Sequence, residues 1–140
     1  MTPTACVRWR VSEGTELERF MEGEMDPRRF PHREHVRMSF EMLTVYDFPE
    51  SVLRYSRSLQ RMTARAGVPQ LFNQTITVAF LALVAERMQS GGHIDFAAFA
   101  AANPDLLDSS ILKRWYSPER LSSGSARRVF VLPDYPRQHP

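Results

Sequence analysis

Cysteine, glycine, lysine and long apolar runs are all scarce in this chain, and each scarcity removes a class of protein. One cysteine, Cys6, in 140 residues leaves no internal disulfide and no CxxC pair for a zinc ribbon. It also stands without a neighbouring histidine, which makes it a poor nucleophile. Six glycines are dispersed along the chain, and none of them builds a phosphate-cradling loop. No stretch approaches 18 uncharged apolar residues, so no helix is expected to cross a membrane. The first residues, MTPTACVRWRVSEGTE, lack the apolar centre of a secretory signal. Together these absences give the expectation of a cytoplasmic protein.

Lysine is nearly missing: of 18 basic residues, 17 are arginine and one is Lys113. The net charge is only +2, and basic residues gather only in 110–140, where six face two acidic ones. Nucleic-acid binding calls for a basic face interleaved with exposed aromatics, or for a recognisable module. Arg127 and Arg128 beside Phe130 do not amount to one, so neither nucleic acid nor a membrane is an expected partner.

What is present reads as helix. At 43% hydrophobic and 24% charged, the composition is that of a globular chain, and its length suits one domain with one core. Residues 14–25 predict a short helix with Thr15 as its cap, broken by Asp26-Pro27. A second opens at Pro31, a residue suited to a first helical turn, and runs to about Tyr46. A third starts at Asp47 and Pro49, turns Val52, Leu53, Leu59 and Met62 inward, and stops at Gly67. The fourth, about 73–88, has no polar face along ITVAFLALVA, the pattern of a buried helix, and Ala82 is expected in the core. Asp95 caps an alanine-rich helix ending at Asn103-Pro104. Short helical pieces follow, with Ser117-Pro118 as a start, a break at Ser122–Ser125, and an extended proline-containing tail. The expectation is an all-α, single compact domain (1–140) of five or six helices around 73–88. The ends, 1–12 and 135–140, are expected to be loose.

Two histidines stand three apart in FPHREHVRMSF, at a helix start. On a helix, His32 and His35 share a face, and the positive end of the dipole favours neutral imidazole, the form a metal ligand or general base requires. The alternatives are capping, solvent or structural hydrogen bonding. Asn73, Gln74 and Thr77 enter the most apolar helix. They read either as cap residues or as polar groups that orient a substrate. Tyr116 is a helix-start residue or a phenol lining a pocket. Arg127 suits a carboxylate, internal in preference to one on a ligand. A catalytic metal wants three protein ligands, and the sequence leaves the third open: Glu41, Glu86, Asp105 and Asp108 are candidates that spacing alone does not place.

The chain also resembles a family of small bacterial helical proteins of uncharacterised function. The resemblance is carried by Phe30, His32 and His35; by Asn103, Pro104, Leu106 and Asp108; by Tyr116, Ser117, Glu119, Leu121 and Ser123; and by Ala126, Arg127, Phe130, Pro133 and Asp134. It implies a His-Glu pair before Thr-x-Thr and hence a three-histidine divalent-metal site. This chain has Asn73-Gln74 there, and neutral amides are poor ligands for first-row metals. Three functions remain open: a small-molecule enzyme or its degenerate relative using His32 and His35; a non-catalytic small-molecule-binding or accessory protein; and a helical interaction subunit. A homo-oligomer is compatible with each.

Overall fold

A computed structural model describes residues 15–135, and among these it is all-helical, with seven α-helices, four 3-10 turns and no strand. Short polar residues start most of the helices. Thr15 Oγ1 accepts the Glu18 N–H at 3.1 Å and starts α1, Glu16–Met21. Helix α1 stops short of Met25 because Gly23, at φ +76°, turns the chain back against the third helix. A Cβ on Gly23 would stand 2.6 Å from the Cβ of Arg61. Helix α2, His32–Val45, has Pro31 just outside it as the cap, so His32 is its first residue. Helix α3, Phe48–Arg65, is capped by Asp47 and followed by Gly67 at φ +77°.

Helix α4, Gln74–Gln89, is capped by Asn73, whose Oδ1 accepts the Ile76 N–H at 3.0 Å. Asp95 caps α5, Phe96–Ala102, and Ser117 caps α6, Pro118–Leu121. The predicted break at 122–125 is shorter than expected. Ser123 caps a further turn, α7, Gly124–Arg128.

Helices α2 and α4 are each two-faced, and two groups of buried side chains lie against them. Val36 and Phe40 of α2 and Val84 of α4 pack with Phe96, Phe99 and Leu106. Met38, Met42 and Val45 of α2 and Leu81 of α4 pack with Phe20 and Tyr55. Leu81 and Val84 are fully buried, which puts α4 at the centre. The rest of its apolar surface is only partly covered, and Ala82 is exposed. Ala79, Ala82 and Leu83 instead border a groove of about 350 Å³ completed by Trp115 and Phe130. On α3, Leu53 points outward at 55% exposure, and the inward position belongs to Tyr55.

The C-terminal section is bonded to the start of α4. Asn73 Nδ2 donates to the Leu121 carbonyl at 2.8 Å. Thr75 Oγ1 donates to the Val129 carbonyl at 2.7 Å and accepts the Val131 N–H at 3.0 Å. Tyr135, expected among the loose ends, donates its N–H to the Trp115 carbonyl at 2.7 Å. The other residues expected to be loose, 1–12 and 136–140, lie outside the described residues, as does Cys6. No helix among the described residues is long and apolar enough to cross a membrane.

Candidate functional site

The starts of α2 and α4 meet at a cavity of about 360 Å³. His32 and His35 line it from α2, and Asn73, Ile76, Thr77 and Phe80 line it from α4. Tyr55, Leu59, Met62 and Thr63 of α3 close the far wall, with Leu71 and Phe72 from the segment before α4. Four residues singled out in the sequence therefore share one wall. A groove of about 920 Å³ between α1 and α3 is larger, but it carries none of them. Several of its charged side chains are engaged: Arg54 reaches Glu50 at 2.8 Å, Arg57 the Gln60 amide oxygen at 2.9 Å and Arg61 the Met21 carbonyl at 2.6 Å.

The hydrogen bonds favour one tautomer for each histidine. His32 Nε2 lies 2.9 Å from the Leu106 carbonyl, which can only accept, so Nε2 carries the proton. In the neutral ring Nδ1 is then an acceptor. The His32 ring packs on Phe80 at 4.7 Å between centroids. Tyr55 has one hydroxyl proton and three polar neighbours: the His35 carbonyl at 2.9 Å, His35 Nδ1 at 3.4 Å and the Ser39 hydroxyl. The shorter contact takes the proton, an arrangement that suits the tautomer with Nδ1–H towards the phenol oxygen and the lone pair on Nε2 of His35. Phe30 meets the same ring edge-on at 4.5 Å.

Burial lowers the pKa of His35 to about 4, helped by His32 beside it and opposed by Glu34. At His35 the lowering comes chiefly from burial, not from the helix dipole. The same burial pushes the Tyr55 phenol well above its ordinary range.

Asn73 is a wall residue whose side chain is already occupied: the oxygen caps α4 and the nitrogen holds Leu121. Thr77 likewise turns its hydroxyl onto the Asn73 carbonyl at 2.8 Å. Gln74 does not line the cavity; its Nε2 donates to Ser56 Oγ at 2.9 Å. Tyr116 lies away from it, buried, with its hydroxyl on the Val131 carbonyl at 2.9 Å. Arg127 has the expected internal partner, but of another kind: its guanidinium donates to the main-chain carbonyl of Gln70, not to a carboxylate.

Of the carboxylates offered as a third ligand, Glu41 and Asp105 are engaged elsewhere, and Asp108, although it feels the charge of His32, bonds Ser110. Glu41 holds Arg37 at 3.1 Å, and Arg87 grips Asp105 with two bonds of 2.9 and 2.8 Å, which holds that carboxyl down at about 2. Asp108 bonds the N–H and hydroxyl of Ser110, and both hold its carboxyl below the usual range. Glu86 lines the groove with Trp115 and Phe130. His93 packs against Phe99, and His139 lies outside the described residues. Among the described residues no group of three His, Cys, Asp or Glu side chains comes together. With two imidazoles and an occupied amide, the residues present do not form the three-ligand metal site that the resemblance implies.

Tyr55 was not singled out from the sequence, and Phe80 reads there only as core material. A phenol on the apolar stripe of α3, four residues before Leu59, is the one signal that would have pointed to Tyr55. Against family models, curated proteins and solved structures alike, the chain has no match.

Proposed function

We propose that the protein binds a small, mainly apolar molecule in the cavity between the starts of α2 and α4, without transforming it. The observation that carries this is a wall of Leu59, Met62, Ile76 and Phe80 interrupted by two imidazoles. Small-molecule sites have that constitution, and a volume of about 360 Å³ is at the lower end of their range. An enzyme built on the same pair would need a base that titrates near the working pH. A buried imidazole with a pKa of about 4 has little tendency to take a proton at neutrality, which favours binding over proton transfer.

Indole, a two-ring probe of suitable size, tests this by titration into the ¹⁵N-labelled protein. Saturable shifts are expected at the amides of 30–36, 55–63 and 71–80. No saturable shift, or shifts confined to the groove between α1 and α3, would overturn it.

A further inference from the structure

We infer that the molecule taken by this cavity is an uncharged hydrogen-bond donor on an apolar body (a phenol, an alcohol or an N–H heterocycle) and not an anion. This rests on the cavity being a ligand site, as proposed above, and follows from where each polar atom of the wall is already engaged. Apart from the Nδ1–H of His35, which faces the Tyr55 oxygen, the bonded side-chain donors end on main-chain carbonyls of the protein itself. Tyr55 donates to His35 at 2.9 Å, Thr63 to Leu59 at 3.0 Å, and Thr77 to Asn73 at 2.8 Å. Asn73 Nδ2 donates to Leu121 at 2.8 Å, and His32 Nε2 to Leu106 at 2.9 Å. Apart from Ser109, exposed at the rim, the second N–H of Asn73 Nδ2 and the spare lone pairs of oxygens already bonded, the side chains leave two ring lone pairs, on Nδ1 of His32 and Nε2 of His35.

Those two nitrogens are reachable. Among the described residues no buried side-chain nitrogen or oxygen lacks a partner, so unpartnered ring nitrogens on a cavity wall are in contact with solvent. A ligand that brings an O–H or N–H replaces that solvent with a hydrogen bond, and one that brings only acceptors leaves the lone pairs facing lone pairs.

The contrary case is an anion, since two helix starts point their positive ends at the cavity. Some of the amides that would serve it are engaged. The Ile76 N–H ends on Asn73 Oδ1 and the Thr77 N–H on the Asn73 carbonyl, while the N–H groups of Glu34 and His35 both end on Pro31. Neither arginine nor lysine lines the wall. An anion would lose its hydration there without gaining a cation.

Three single-ring probes of similar shape separate the cases: phenol, toluene and benzoate, titrated at neutral pH against wild type and His35→Leu, with amide shifts locating the site. Phenol is expected to bind about tenfold more tightly than toluene, the value of one hydrogen bond, with benzoate the weakest. In His35→Leu the advantage of phenol over toluene should shrink while toluene still binds. Toluene equal to phenol, or benzoate the tightest, would overturn the donor assignment while leaving a ligand cavity in place. If none of the three produces shifts at the cavity, the ligand site itself is refuted and the inference with it.

Discussion

Substituting Asn73 removes two hydrogen bonds with one side chain, the cap on Ile76 and the tether to Leu121. Asn73→Ala is expected to lose about 1–3 kcal/mol in chemical denaturation, combining a cap with a part-buried donor. Asn73→Asp keeps the cap and loses the donor, so its denaturation midpoint should fall between the two. Equal midpoints for wild type and Asn73→Ala would mean that neither bond is made. His35 gives a pH signature of its own. Folding holds it neutral down to about pH 4, against 6.5 for the free side chain. Between those values the unfolded chain binds more protons, so stability falls as pH falls through that window and is flat above it. The whole effect is on the order of 3 kcal/mol, and His35→Gln should flatten it. The carboxyl of Asp105 is held at about 2 against an ordinary 3.8, so its contribution is lost only at lower pH, outside the histidine window. A wild-type denaturation midpoint that does not change from pH 6.5 to 4.5 would contradict the buried neutral ring.

Among the elements, α4 separates what hydrophobic patterning can report from what it cannot. Its span and its cap were legible, as were the caps at Thr15, Asp47, Asp95 and Ser117, because capping is a contact within four residues. Its burial was legible only in part. Core contact, a cavity wall and an open apolar groove all ask for the same side chains, so a sequence without a polar face does not say which it meets. Ala82, expected in the core, is exposed, while Leu81 beside it is fully buried. Ala82→Asp is therefore expected to fold, with a melting temperature within a few degrees of wild type. Leu81→Asp, which buries an unpaired carboxylate, should abolish the cooperative transition. Thermal scans followed by circular dichroism check both, and loss of the transition in Ala82→Asp would return that face of α4 to the core. The partner of Arg127 escaped sequence reading for a different reason. It is a main-chain carbonyl, and every residue has one.

Among the described residues, the bonds that give the cavity its shape join segments far apart along the chain. His32 is held by Leu106, 74 residues on, and Asn73 by Leu121, 48 residues on. Arg87, through its two bonds to Asp105, fixes the turn Pro104–Leu107 that presents the Leu106 carbonyl. The pair of histidines could be read as sharing a face, since helical spacing dictates that. That the face opens on Tyr55 and Phe80 depends on how α2, α3 and α4 cross, which no local pattern encodes.

The stitching of 117–135 onto the start of α4 sets an order of events during synthesis. A ribosome delivers α1 to α5 before the segments that hold Asn73 and Thr75 have emerged. Until then Thr75, fully buried in the finished protein, has neither the Val129 carbonyl nor the Val131 N–H to satisfy its hydroxyl. The nascent chain therefore waits with its central helix assembled at one end and unanchored at the other. The start of α4 gains its anchors only once 117–131 have emerged.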